Sequence, residues 1–305
     1  MGLFLLRRAF YMVVALIAAT MIVFGLSRMA GDPRLLFLTE QATQEQWDAW
    51  GKEMGLDRPL VIQYGIWMGK ALRGDLGKSL RTGYSARDVI LQRIPATLQL
   101  ASASFLFVLV VGIPLGVLSA VKRGSAFDVI GRSFAAFGQA LPPFWLGLML
   151  MLLLSVKLGW LPTGQRGGLD HYIMPAVTLG WLAAAGMLRL VRSAMLETLD
   201  SEYIKFTRAK GVAGWTVVWK HALRNALIAP LTYGALLLTA FLTGTVVTET
   251  VFAWPGLGRL TVTAVIQNDF PVMTGAVLVF TALYLGVTFF LDLGYALVDP
   301  RIRYR

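Results

Sequence analysis

The run IPATLQLASASFLFVLVVGIPLGVLSAV, residues 94–121, decides the fold because its 28 residues contain no charged side chain. A helix needs roughly 17–25 predominantly apolar residues to cross a hydrocarbon core of about 30 Å. The run is apolar throughout instead of alternating, so it predicts a membrane-spanning helix and not a barrel strand. Gly112 and Gly116, with Pro114 between them, predict close packing against a neighbouring helix.

Five further uncharged runs have the length of a span. The six together are Ala9–Ser27, Ile94–Val121, Ser133–Val156, Tyr172–Leu188, Ala226–Thr248 and Thr274–Leu291. Of the 305 residues, 56% are hydrophobic and 15% are charged, whereas about a quarter of the residues in a soluble domain are charged. We therefore predict an all-α membrane protein with six transmembrane helices. The first run resembles a signal peptide in position, but five more spans follow it, which favours a retained anchor.

The distribution of basic residues predicts the orientation. Six spans place both termini on one side of the membrane. If that side is the cytoplasm, the inner segments carry fifteen lysines and arginines and the two short outer loops carry three. Basic residues concentrate in cytoplasmic loops, so the asymmetry predicts an N-in, C-in topology. The same bias explains the formal net charge of +11, so nucleic acid is not predicted as a partner.

The long segment 28–93 then lies outside the cell and is predicted to be folded. Thr43 and Gln46 fit a capping box for one short helix that ends near Gly55. A stripe of apolar and aromatic residues predicts a second short helix at Leu60–Ala71. We predict that both lie over the outer mouth of the bundle, although anchoring of their aromatic residues among lipid headgroups explains the pattern equally well.

Residues 202–230, EYIKFTRAKGVAGWTVVWKHALRNALIAP, form a basic segment between two apolar runs. Asp200 or Ser201 can cap a helix over Glu202–Lys210, and Gly211 is placed to end it in a left-handed conformation. A second short helix is predicted to follow. Aromatic side chains on a short helix suit insertion into a cleft of a soluble partner. From the residues alone, an amphipathic helix resting on anionic lipid is an equally good interpretation.

Several positions of this segment keep a spaced pattern. They are Tyr203, Arg208-Ala209-Lys210-Gly211, His221, Leu223-Arg224-Asn225-Ala226 and Pro230. The pattern resembles the cytoplasmic loop of inner-membrane permease subunits of binding-protein-dependent ABC importers, in their dipeptide, oligopeptide and nickel branch. The chain departs from the wider family at two places: Lys205-Phe206-Thr207 replace a Glu-Ala-Ala signature, and Arg224 replaces a proline.

Further motifs extend the resemblance over nearly the whole chain. They are Gly31-Asp32-Pro33, Gly55-Leu56-Asp57-Arg58-Pro59-Leu60, Gly74-Asp75-Leu76-Gly77, Pro95-Ala96-Thr97-Leu98, Leu161-Pro162-Thr163-Gly164, Phe252-Ala253-Trp254-Pro255-Gly256-Leu257-Gly258 and Asp299-Pro300-Arg301. Their common order and spacing make the resemblance specific, although any one of them alone is weak.

The resemblance implies one permease domain over residues 1–305, with the extracytoplasmic segment 28–93 and a cytoplasmic coupling loop at 193–225 between the fourth and fifth spans. In such proteins this loop docks into a groove of an ATPase subunit. The implied coupling residues are Glu202, Tyr203, Phe206, Arg208, Ala209, Lys210, Gly211, His221, Arg224 and Asn225. The implied partners are a second homologous permease, two cytoplasmic ATPase subunits, an extracytoplasmic substrate-binding protein and membrane lipid. The implied location is the bacterial inner membrane.

No cofactor is predicted for this chain. The stretch Gly65-x3-Gly69-Lys70 lacks the spacing and the following Ser or Thr of a phosphate-binding loop, so ATP and Mg²⁺ are expected on the ATPase partners. Cysteine is absent, and the two histidines, His171 and His221, lie far apart. These residues offer little for a metal centre or for an intramembrane enzyme.

Four residues are candidates for the translocation pathway. Gln139, Pro142 and Pro143 interrupt the third span, and such breaks can line a cavity or form a structural kink. Glu249 is an ionisable group at the outer end of the fifth span, where pathway lining competes with a structural hydrogen bond. For Asp292 in the sixth span, pairing with an arginine on the inner side is predicted.

The alternative function is a self-sufficient secondary transporter or channel. That class predicts inverted repeats and several intramembrane charges, and the sequence shows neither. The leading hypothesis is therefore an ABC importer permease for a small peptide, or for nickel or a metal chelate.

Overall fold

The computed structural model describes residues 2–29, 43–53 and 56–298, and these ranges are almost entirely helical. The α-helices are α1 (Gly2–Met29), α2 (Gln44–Glu53), α3 (Leu60–Ala71), α4 (Ala86–Leu91), α5 (Ile94–Val121), α6 (Ala126–Ala140), α7 (Pro143–Leu150), α8 (Asp170–Leu199), α9 (Glu202–Ala209), α10 (Gly214–Thr216), α11 (Leu223–Ala226), α12 (Ile228–Val251), α13 (Leu257–Ile266) and α14 (Phe270–Val298). Two π-helical segments, Met151–Lys157 and Val217–Ala222, extend α7 and join α10 to α11. The described ranges contain no β-strand, only an isolated bridge between Lys78 and Ser85.

The long helices coincide with the predicted spans but are mostly longer. Within the described residues, four helices are long and apolar enough to cross a membrane, and six spans result if each of two bent helix pairs counts as one. The bounds of α5 are those predicted, Ile94–Val121. The predicted span Ser133–Val156 is interrupted where the sequence predicts a break, and α6 and α7 meet there at an angle of 109°. The count of six spans stays a prediction.

The chain divides into two compact units, Met1–Pro95 with Gly256–Arg305, and Ala96–Pro255. The interpretation of residues 1–305 as one permease domain, with its segments 28–93 and 193–225, stays a prediction. Each unit has its own buried core.

The first unit packs α4, α13 and α14 around a core that includes Ile90, Leu257 and Met273. Asp269 is buried and stands just before α14, where its carboxylate accepts hydrogen bonds from the Ser79 hydroxyl at 2.5 Å and the Leu80 amide at 3.1 Å. This joins the 75–85 loop to the start of α14.

Helix α1 of the same unit contacts α14 and α3. The Arg8 guanidinium forms an ion pair with Asp292, which confirms the predicted pairing of Asp292 with an arginine. The Tyr64 hydroxyl lies 2.8 Å from the Thr20 hydroxyl, and the Tyr64 and Trp67 rings contact Phe24. Helices α2 and α3 confirm the two predicted short helices. The location of α2 and α3 over the outer mouth of the helix bundle stays a prediction. Gly55, the predicted end of the first short helix, lies outside the described residues.

The second unit depends on close helix contact along α5. A Cβ at Gly112 would lie 2.8 Å from Met187 Cβ, and one at Gly116 would lie 2.7 Å from Val191 Cβ. Both distances are too short for any side chain, so the two glycines allow α5 to approach α8. The predicted packing role of this pair is confirmed.

The break between α6 and α7 occurs at Leu141 and Pro142, which are both extended. Pro143 is the first residue of α7, a position where the missing N–H has no cost. Two consecutive prolines thus end one helix and begin the next, so the break predicted from the sequence is a sharp turn.

Candidate functional site

Helix α9 matches the predicted helix Glu202–Lys210 to within one residue. It begins at Glu202 and ends at Ala209, and Gly211 follows with a φ of 78°, the left-handed conformation that glycine adopts without strain. Ser201 stands at the N-cap position, but the predicted capping bond is wrong. The Ser201 hydroxyl donates to the Thr198 carbonyl instead, at the end of α8.

Hydrogen bonds tie α9 to the chain that follows. The Tyr203 hydroxyl donates to the His221 carbonyl at 3.0 Å, and the Asn225 amide donates to the Tyr203 hydroxyl at 2.7 Å and to the same carbonyl at 3.2 Å. Ile204 is fully buried beneath the helix. Three of the predicted coupling residues therefore meet at one point, and α9 is fixed to the π-helical segment Val217–Ala222 and to α11, which precede α12.

The opposite side of α9 faces outward. The Phe206 side chain is 63% exposed, and the Lys210 ammonium lies 4.5 Å from the centre of its ring. Glu202 and Lys205 form an exposed ion pair at 2.8 Å. Arg208, Ala209 and Arg224 are also exposed. A short helix thus presents one large aromatic side chain among charged groups.

A second aromatic group lies beyond Gly211. The Trp215 and Trp219 rings are 5.1 Å apart, and Trp215 is 73% exposed. Large exposed aromatic side chains close to basic residues are typical of protein interfaces and of membrane surfaces. The geometry therefore keeps both interpretations of this segment open.

The candidate pathway residues fall into two environments. Gln139 lies near the end of α6, immediately before the break at Pro142 and Pro143, and its side-chain oxygen accepts a hydrogen bond from Arg189 at 3.0 Å. Glu249 is fully buried, and its carboxylate accepts a hydrogen bond from the Thr97 hydroxyl at 2.7 Å. This arrangement favours a structural hydrogen bond for Glu249, and the pathway assignment of all four residues stays a prediction.

A buried ionic network between α5, α6 and α8 was not predicted from the sequence. Asp128 is 2% exposed, and its carboxylate accepts hydrogen bonds from Ser119 at 2.7 Å and from Arg192 at 2.8 and 3.1 Å. The amide of Gly124 donates to the same carboxylate at 3.0 Å. A search for uncharged runs places Asp128 and Arg192 outside the spans, and only their mutual pairing shows that they belong to the packed helices.

In the ranges that the structure describes, no three histidine or acidic side chains are grouped so that they could hold a metal ion.

Comparison with known proteins decides the family. Residues 112–304 match the family described as "Binding-protein-dependent transport system inner membrane component", and residues 1–101 match the N-terminal family of the same membrane components. The chain belongs to this family. It is therefore a multi-pass permease subunit of the bacterial inner membrane, and a transport protein and not an enzyme.

Several known permeases align with this permease over almost its whole length. It is 38% identical to the oligopeptide transport system permease protein AppB of Bacillus subtilis over 100% of both chains. It is 36% identical to the di/tripeptide transport system permease protein DppB of Pseudomonas aeruginosa, and 35% identical to the dipeptide transport system permease protein DppB of Escherichia coli, in each case over 99% of both chains.

A solved structure shares the fold. The permease matches a chain of the MetNI methionine ABC transporter with a TM-score of 0.57 at 22% sequence identity, covering 69% of the permease and 96% of the other chain. At this identity the match supports the fold alone.

Proposed function

We propose that this permease is a subunit of an ABC importer for small peptides and forms half of the translocation pathway. The relatives quoted above are named for di-, tri- and oligopeptide transport. For this reason we favour peptides over nickel or a metal chelate, the other cargo of the branch. The six-span, N-in, C-in topology that the basic residues predict belongs to the same proposal.

The coupling part of the proposal rests on one observation. The Phe206 side chain is exposed, and the other side of the helix that carries it is held in place by contacts. An exposed aromatic side chain on a rigid helix loses little conformational entropy when it enters a groove. Ile204 and the hydrogen bonds of Tyr203 hold α9 against the chain that leads into α12. A displacement of α9 would therefore be passed to the segment 217–226, which leads into α12 through a bend of 57°.

The proposed partners follow from this role. Two ATPase subunits bind ATP and Mg²⁺ and receive α9 in a groove. A second homologous permease completes the pathway, a substrate-binding protein delivers the peptide from outside, and lipid surrounds the spans. Closure of the ATPases then shifts the permease between two conformations with different access.

Reconstitution tests the proposed function. Proteoliposomes are prepared with the complete importer, which consists of this permease, the second permease, the ATPases and the binding protein. Uptake of a radiolabelled tripeptide is then measured with and without ATP. We expect ATP-dependent uptake that disappears when this permease is omitted. Uptake of nickel but not of peptide would overturn the cargo assignment, and uptake by the permease alone under an ion gradient would overturn the ABC importer assignment.

A further inference from the structure

Helices α6, α8 and α12, all in the second unit, line an open and largely apolar cavity of about 580 Å³, with Leu182, Gly186 and Leu190 among its walls. The polar side chains that line it are Gln139 on α6, Arg189 and Ser193 on α8, and Tyr233 on α12. Outside this cavity, the surface of the same helices carries exposed apolar side chains such as Phe137, Leu231 and Leu236. The cavity thus brings four polar side chains together on a largely apolar surface.

Arg189 is the chemically decisive residue of the cavity. Its side chain is exposed, and one N–H donates to the Gln139 side-chain oxygen at 3.0 Å. A guanidinium has five N–H donors, and among the described residues no carboxylate pairs with this one. Arg192, one turn further along α8, is instead neutralised by the buried Asp128. Two arginines on one helix therefore differ in role, since one holds the fold together and the other keeps donors for a ligand.

The surrounding side chains orient Arg189 and leave a second donor beside it. Gln139 accepts one N–H and so restrains the position of the guanidinium. Gly186 lies next to the Tyr233 hydroxyl, and a Cβ at this position would collide with that hydroxyl. The absence of a side chain at Gly186 allows the Tyr233 hydroxyl to lie against α8, at the same cavity as Arg189.

We propose that this cavity binds the C-terminal carboxylate of a peptide in transit, with Arg189 as the main donor and the Tyr233 hydroxyl as a second. The guanidinium fork matches a carboxylate in two parallel hydrogen bonds. Arg189 directly follows the predicted span Tyr172–Leu188, so the proposed site lies at the inner end of that span. The inference rests on the proposed function, since it takes a peptide as cargo, and a cationic site disfavours the metal cation that the branch also carries.

The test compares trialanine with trialanine amide, which lacks only the terminal charge. Initial uptake is measured in proteoliposomes that contain the complete importer, after binding of each peptide to the isolated binding protein has been measured separately. We expect Arg189→Gln to slow trialanine uptake about tenfold, the effect of one lost charge-assisted hydrogen bond, and to leave amide uptake within about twofold of the wild type. Arg189→Lys keeps the charge and is expected to carry trialanine several-fold faster than Arg189→Gln.

A charge-matched control is Arg123→Gln, because Arg123 is exposed and lies outside the cavity. It should slow neither peptide. Equal slowing of both peptides by Arg189→Gln would overturn the carboxylate site and indicate that Arg189 pairs with an acidic residue of the second permease. Unchanged trialanine uptake, or equal rates for Arg189→Gln and Arg189→Lys, would also overturn it. Failure of the wild-type importer to carry either peptide would instead overturn the proposed function.

Discussion

Replacing Asp128 by asparagine is expected to destabilise the permease by about 3 kcal/mol, because it removes the charge that balances a partly buried arginine. The Arg192 side chain is 23% exposed and donates two hydrogen bonds to the Asp128 carboxylate. In the variant, the asparagine amide group would face one of these donors and the Gly124 N–H. The measurement is reversible unfolding in mixed detergent micelles, followed by the loss of helical circular dichroism.

Two further variants make this expectation specific. Asp200→Asn removes an exposed acid just beyond α8 and should change the free energy of unfolding by less than about 0.5 kcal/mol. The double variant Asp128→Asn with Arg192→Gln should be less destabilised than the sum of its two single variants, since it leaves no buried charge unpaired. Arg132, which also pairs with Asp128 at 3.7 Å, has a side chain that is 59% exposed. If Asp128→Asn is no more harmful than Asp200→Asn, the network does not hold α5, α6 and α8 together.

Replacing Phe206 by alanine is expected to reduce peptide uptake by tenfold or more and to leave the amount of folded permease in the membrane unchanged. An aromatic residue at the centre of an interface contributes about 2 kcal/mol or more to binding, whereas the exposed Phe206 ring contributes little to folding. Uptake and ATP hydrolysis are measured in the same proteoliposomes. We expect the binding protein to stimulate ATP hydrolysis less in the variant, or hydrolysis to continue without uptake.

Phe127→Ala is the matched control. Phe127 is also an exposed phenylalanine that contacts a lysine, with the Lys122 ammonium 4.1 Å from the centre of its ring. It lies on the side predicted to be cytoplasmic, but outside the segment 202–226. Normal uptake by Phe206→Ala, or an equal defect in Phe127→Ala, would contradict the role of α9.

The sequence was sufficient to predict the elements whose signals are local. An uncharged run bounded by Arg93 and Lys122 predicts α5 to the residue, because a charge on either side marks where an apolar helix leaves the hydrocarbon. Gly211 predicts the end of α9, because few other residues adopt a positive φ without strain. The two consecutive prolines likewise predict the break after α6.

The features that escaped prediction depend on contacts between distant residues. Helix α6 begins at Ala126, seven residues before the uncharged run that starts at Ser133, and its first turns contain Asp128, which is paired with Arg192, 64 residues away. Tyr203 looks like a docking residue from its position beside Phe206, but its hydroxyl bonds to groups 18 and 22 residues further on. The sequence does not show whether Arg189 has an acidic partner. In the structure, no carboxylate among the described residues pairs with it, so its remaining N–H donors can bind a ligand.

Site-directed photo-cross-linking at position 206 tests the central claim, that α9 docks on an ATPase subunit. The chain contains no cysteine, so Phe206→Cys can be labelled at one site with a benzophenone maleimide in the assembled importer. After illumination we expect a covalent product between the permease and the ATPase, and none from Tyr84→Cys, an exposed position in the segment predicted to lie outside the cell. A Phe206→Cys product that contains lipid but no ATPase would contradict the claim and support the membrane-surface interpretation of this segment.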